Sequence, residues 1–142
     1  VRALGIDLGT RRVGVAVSDP GGVLASPVEV IARCGDEARD HRRILEIAEE
    51  YEVGRIVVGL PLSLDGSMGP AATAAMAETE RLRATTDLPV DTYDERFTTV
   101  TADRSLMERK MKADARRRVI DKVAAAVMLQ AWLDGQPRES AD

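Results

Sequence analysis

Three acidic positions sit where their neighbours do not account for them, and what they could bind is the first question this sequence raises. Asp7 lies in "ALGIDLGT", where Leu4, Ile6 and Leu8 alternate with Ala3, Gly5 and Asp7. A period of two is that of a strand, so large aliphatics line one face while two tiny residues and a carboxylate line the other. Strand interiors disfavour Asp and an unpaired buried carboxylate is costly, so Asp7 needs a partner, a proton or a metal. Asp121 lies in "VIDKVAAAVMLQAWL", at the border of a helical face made of Ile120, Val123, Ala124, Val127, Met128 and Ala131. With a helix start near Asp114, Asp121 is already in the second turn, beyond the reach of the helix dipole. The third position is Glu95, with Asp94 beside it, at the carboxyl end of the strand "LPVDTYDE". Open α/β sheets place ligands along that edge. A salt bridge to Arg96 is the plain alternative for Glu95.

Asp7, Glu95 and Asp121 together make a hard, all-oxygen donor set, suited to Mg²⁺ or Mn²⁺ and ill suited to zinc. Phosphoryl chemistry is the natural use of such a set. Two ions about 4 Å apart can activate a water and stabilise a leaving oxygen without a catalytic histidine or cysteine. The chain has little of either: Cys34 and His41 are single, so neither an internal disulfide nor a Cys/His metal cluster can form. His41, in a charged helical stretch, reads as a surface residue, and Cys34 as a small, partly buried one.

The elements that must position these acids are legible from period and punctuation. Val13, Val15 and Val17 alternate with Gly14, Ala16 and Ser18, and Gly9–Arg12 is short enough to join the first two strands in a hairpin. A turn at Gly21–Gly22 leads to a third strand, whose Pro27 predicts an edge position or an irregularity. Residues 36–52 predict a helix with Ile44, Ile47, Ala48 and Tyr51 on one side, and "GRIVVGL" a buried parallel strand. "PLSLDGSMG" is a loop, and Pro70 opens an Ala-rich helix. After the fifth strand, Thr98 or Thr99 can cap a helix running to about Lys110, and a last helix spans about Asp114 to Asp134 before Gly135. Three strands followed by alternating helices and strands predict an α/β domain with a mixed sheet, antiparallel at the hairpins and parallel at the crossovers. Ala124 and Ala125 would let the last helix lie close to the small-residue face that holds Asp7.

A chain of 142 residues fits one domain, here taken as 1–136 with a short tail at 137–142. Four aromatics, Tyr51, Tyr93, Phe97 and Trp132, argue against a surface of stacked bases. No apolar run approaches membrane-spanning length and no signal-peptide pattern opens the chain, so a cytoplasmic setting is expected. The net charge of −4 hides a polarised distribution: eight basic residues against three acidic ones between Arg104 and Lys122 give that stretch +5 and leave −9 elsewhere. Arg109, Lys110, Lys112, Arg116, Arg117, Arg118 and Lys122 are therefore candidates for holding a phosphate backbone, with a solvated helix face as the alternative. Arg11 and Arg12 at the hairpin tip, and Arg96, could do the same. The loop from Leu60 to Gly69 rims the proposed site by topology, although a plain strand-to-helix connection explains its content equally well.

In order along the chain, "GIDLGTRRVGVAVSD", "VVGLPLSLDGSMGP", "DERFTT" and "DKVAAAVMLQAWL" resemble the motifs of the YqgF/RuvX family of nucleases, which have an RNase H-like fold. The resemblance implies a five-stranded sheet in the order 3-2-1-4-5 with helices on both faces, and a metal-dependent phosphodiester hydrolase. It also implies that Asp7, Glu95 and Asp121 match the family's acidic positions. Two substrates come with it: the precursor of small-subunit ribosomal RNA, cut at its 5' end during ribosome biogenesis, and a four-way (Holliday) DNA junction. RNA is favoured here, because symmetric junction cleavage calls for a twofold dimer and no dimer seam is visible in the sequence. "GIDLGT" also resembles the first phosphate loop of actin/Hsp70-like ATPases, which makes a nucleotide-binding domain the runner-up and a non-catalytic binding module the third reading. In the implied strand order Glu95 and Asp7 are two strand spacings apart, about 10 Å between backbones. Glu95 would have to lean inward, and Asp94 stays open as a substitute.

Overall fold

A computed structural model of the chain describes residues 2–63, 65–97 and 113–136, with the backbone alone at 97 and 113–122. The strands are β1 (Ala3–Leu8), β2 (Arg12–Ser18), β3 (Ala25–Ala32), β4 (Arg55–Leu60) and β5 (Val90–Asp94). The helices are α1 (Glu37–Glu50), α2 (Pro70–Arg83) and α3 (Ala113–Asp134), and a 3-10 turn covers Glu95–Phe97. The strands form one sheet in the order β3-β2-β1-β4-β5, antiparallel at β1–β2 and β2–β3 and parallel at β1–β4 and β4–β5. The order is the one the family resemblance implies, and the directions are those the hairpins and crossovers predict. The predicted helix to about Lys110 lies outside the described residues, as does the 137–142 tail.

The two sheet faces differ as the strand alternation requires. Leu4, Ile6, Val13, Val15, Ile56 and Val58 bury against Ile44 and Ile47 of α1 and Leu82 of α2, making the larger, branched core. On the other face Ala3, Ala16 and Val57 meet Ala124, Ala125, Met128 and Leu129 of α3. Small side chains on that face let α3 approach the backbone closely. A methyl group on Gly5 would stand 2.7 Å from Leu129 Cβ and 3.3 Å from the Ala125 carbonyl oxygen.

Local chemistry sets the element ends. Asp36 caps α1, its Oδ1 accepting the Arg39 N–H at 3.3 Å, and Pro70 opens α2 where a missing N–H costs nothing. Pro27 has no N–H for the ladder, and β3 accommodates it as an edge strand with a bulge: Val15 pairs with Glu29 but Ala16 with Pro27, leaving Val28 over.

Candidate active site

Asp7 is buried near the carboxyl end of β1, with Gly14 as its cross-strand partner on β2. It shares a face with Ala3 and Gly5, so it lies on the α3 side. On the other side of β1, Ile6 pairs with Val58 of β4, and one residue further Gly59 pairs with Tyr93 of β5. Asp7 therefore has a glycine on each neighbouring strand, so no side chain stands immediately beside it on β2 or β4.

Glu95 lies over the glycine on β4. It follows β5 as the first residue of the 3-10 turn and is 6% exposed. A methyl group built on Gly59 would stand 2.6 Å from Glu95 Oε1 and 3.1 Å from its Cγ and Cδ. The glutamate thus lies over β4, the strand between β5 and β1.

Asp94 has a different task. Its Oδ1 accepts the Arg96 backbone N–H at 2.9 Å, and its carboxylate takes the Arg96 Nε at 2.9 Å and Nη2 at 2.6 Å. Those Arg96 side-chain hydrogen bonds hold the Asp94 carboxyl below its ordinary pKa. Asp94 fastens the 3-10 turn, and the carboxylate over Gly59 belongs to Glu95.

Asp121 lies in α3, one turn before Ala125. The carboxamide of Gln130 bonds Val23 and Ala25, at the end of the sheet away from Asp7, while Ala125 and Leu129 pack at Gly5. Going back along α3 therefore leads toward the Asp7 end. One turn from Ala125 to Asp121 covers about 6 Å, and two residues from Gly5 to Asp7 cover about 7 Å. The Asp121 side chain lies outside the described residues. So do those of Arg116, Arg117, Arg118 and Lys122, whose backbones are in α3, while Arg109, Lys110 and Lys112 fall outside them entirely.

The loop after β4 packs onto this edge. A Cβ on Gly66, whose φ is +87°, would meet Arg96 Nη1 at 3.1 Å. Asp65 Oδ1 accepts the Ser67 hydroxyl at 2.6 Å and its backbone N–H at 2.9 Å, which lowers the Asp65 pKa, and Arg96 adds to that shift. The loop is thus a tied turn against Arg96. Arg11 is exposed at the hairpin tip and Arg12 half-buried.

Sequence reasoning misplaced two residues and missed a cluster. His41 is buried rather than on the surface, with Nε2 2.8 Å from Glu78 Oε2. Its place three residues before Ile44 and seven before Ala48 puts it on the apolar stripe of α1, a signal that the surrounding charges obscured. Cys34 is exposed, because it lies past the end of β3, just before the helix cap. Glu37, His41 and Glu78 offer ligand atoms within 4.8 Å of one another. Their carboxylates are already matched by arginines: Glu78 takes both terminal nitrogens of Arg33 at 2.8 and 2.9 Å, and Glu37 takes Arg81 Nε and Nη2 at 2.6 and 2.8 Å. Burial raises the Glu78 pKa, but the bonds from Arg33 and His41 outweigh it and leave the group below its ordinary value. Two guanidinium charges at the cluster disfavour a cation there.

A family model described as "RuvX: Holliday junction resolvase" matches residues 1–135. The chain belongs to the RuvX family. A Rhodococcus opacus relative named "Putative pre-16S rRNA nuclease" is 50% identical over 141 residues, covering 96% of this chain and 79% of that one. One of the same name from Pelotomaculum thermopropionicum is 45% identical over 143 residues, covering 99% and 93%. The RuvX chain also shares its fold with Thermus thermophilus RuvC in complex with a Holliday junction substrate, at a TM-score of 0.60 and 19% identity over 94% of this chain and 93% of that one. That sheet-and-helix likeness agrees with the strand order found here. Among the described residues no helix is long and apolar enough to cross a membrane.

Proposed function

We propose that this RuvX-family chain is a nuclease that hydrolyses phosphodiester bonds in structured precursor ribosomal RNA, using Mg²⁺ or Mn²⁺ held by Asp7, Glu95 and Asp121. The observation that carries the reading is the Glu95 carboxylate held over Gly59, on the strand next to the one that bears Asp7. Two buried carboxylates brought near one another repel unless a proton or a cation intervenes, and a set of oxygen donors suits a hard divalent ion. When bound, such ions polarise the scissile phosphate and lower the pKa of an attacking water.

The chain's own residues would do the rest. Asp7, fixed by ladders on both sides, and Glu95, fixed by the turn that Asp94 ties, hold ligand oxygens at set positions with no reorganisation needed at reaction. Arg11, Arg12 and Arg96 would offer charge for phosphates, as would the basic run of Arg109, Lys110, Lys112, Arg116, Arg117, Arg118 and Lys122. Such contacts grip the backbone without reading bases. The names of the relatives support ribosomal RNA as substrate, and with it a cytoplasmic site of action. The family description favours a second reading, cleavage of four-way DNA junctions, which would call for a dimer; a monomer suits the RNA reading.

The test is cleavage of a precursor of the small-subunit RNA, with a four-way junction in parallel, by the wild type and by Asp7→Asn. Cleavage that needs Mg²⁺ or Mn²⁺, favours the RNA and vanishes in the folded variant supports the proposal. Unchanged turnover in Asp7→Asn sinks the site, and symmetric cutting of the junction by a stable dimer sinks the choice of substrate.

A further inference from the structure

The buried polar cluster on the α1/α2 side of the sheet reaches the edge that carries the proposed site. Arg33, one residue past β3, donates Nε–H to the Gly9 carbonyl at 2.8 Å, and its backbone N–H goes to the Arg11 carbonyl at 2.9 Å. Both acceptors lie in the hairpin loop that follows Asp7 and carries Arg11 and Arg12. The other end of the guanidinium is fixed by Glu78 of α2 through two bonds, and Glu78 is steadied by His41 of α1 at 2.8 Å. Asp40 Oδ2 lies 3.8 Å from Arg33 Nη1. The side chains of Arg33, Glu78 and His41 are 17%, 9% and 5% exposed.

Burying such a pair costs desolvation that its own attraction barely recovers, so an apolar trio would join α1 to α2 at least as well. An apolar trio cannot grip a backbone carbonyl. We propose that Arg33, held by Glu78 and His41, is a positioning residue that fixes the Gly9–Arg12 loop so that Arg11 and Arg12 meet the substrate backbone. The inference rests on the nuclease reading above for what the loop touches, though not for the grip itself. A planar fork does this work because its donors sit on three separate nitrogens, so Nε reaches the carbonyl while both terminal nitrogens pair with Glu78, whereas the donors of a lysine share one nitrogen.

The test compares Arg33→Gln, Arg33→Lys and Glu78→Gln with the wild type, by amide hydrogen exchange at Gly9 and by cleavage kinetics on precursor RNA. Exchange at Gly9, whose N–H bonds the Arg12 carbonyl, should speed up roughly tenfold or more in all three variants, while the β1 amides stay protected. KM should rise about tenfold, with kcat within about threefold. Glu78→Gln separates grip from charge. Removing a negative charge would tighten binding to a polyanion if Glu78 acted only through its field, whereas loss of the grip weakens it. Unchanged Gly9 exchange, a wild-type KM in Arg33→Lys, or tighter binding by Glu78→Gln would each overturn the proposal. Unfolding of all three variants would do so too, by showing that the cluster holds the fold rather than the loop. The exchange readout needs no cleavage, and an Asp7→Asn control reports separately on the nuclease reading.

Discussion

Glu95 lies on Gly59, so close that a single added methyl group would come within 2.6 Å of its Oε1. These residues are far apart in sequence, on a strand and on the turn after its neighbour. Their contact holds a carboxylate from the end of β5 over β4, the strand next to the one that carries Asp7.

Gly59→Ala should therefore cost activity more than stability. The methyl group must push Glu95 aside, and overpacking of this kind costs about 1–3 kcal/mol, which a domain of this size survives. Displacement of a ligand by about 1 Å can lower turnover roughly a hundredfold. Thermal unfolding beside cleavage kinetics checks this: a folded Gly59→Ala with wild-type turnover would mean that the position of Glu95 is unimportant.

Gly5→Ala tests the close approach of α3. Its Cβ would meet Leu129 Cβ at 2.7 Å, both atoms near the backbone and unable to swing away. The helix must shift, so the variant should lose about 1–3 kcal/mol in denaturant unfolding, and if the proposed site is right turnover should fall too, because α3 carries Asp121. Leu129→Ala in the same background should not restore the stability, because alanine keeps the Cβ that clashes and leaves a cavity beyond it.

Acid should destabilise the fold through Glu78. Its native pKa lies below the ordinary 4.5 because the bonds from Arg33 and His41 overcome the cost of burial. A depressed native pKa gives stability that is complete above the unfolded value and is lost as pH falls through the native one. Unfolding midpoints of the wild type should therefore drop below about pH 4.5, and Glu78→Gln, less stable at neutral pH, should show a shallower drop. Parallel curves for the two proteins would contradict the linkage.

Replacing Arg116, Arg117 and Arg118 together with glutamines should weaken nucleic-acid binding and flatten its dependence on salt. For every phosphate that these side chains neutralise, the slope of log K against log salt should fall by about 0.7–0.9 in the variant. An unchanged slope would make these residues a solvated face.

Alternation made the sheet legible. Ala3-Gly5-Asp7 and Gly14-Ala16-Ser18 announced a small-residue face, Ala124 and Ala125 announced the helix that covers it, and Pro27 announced the edge strand with its irregularity. How Glu95 and Asp94 differ was not legible, because the Glu95 contact with Gly59 and the Asp94 bonds to Arg96 exist only in the folded chain. The burial of His41 escaped for a related reason. Its neighbours in sequence are charged, and its partner Glu78 lies on another helix, held by an arginine from the end of a third element. Periodicity reports which face a residue occupies, but not which charge waits on the facing element.

The most direct measurement is a paired comparison of Glu95→Gln and Asp94→Asn, both verified as folded, cutting precursor ribosomal RNA at saturating Mg²⁺. The account predicts a loss of roughly a hundredfold or more in kcat for Glu95→Gln, since a ligand charge is removed at the reacting centre, and a change within about fivefold for Asp94→Asn, which loosens only the turn. Wild-type turnover in Glu95→Gln, or a greater loss in Asp94→Asn, would contradict it.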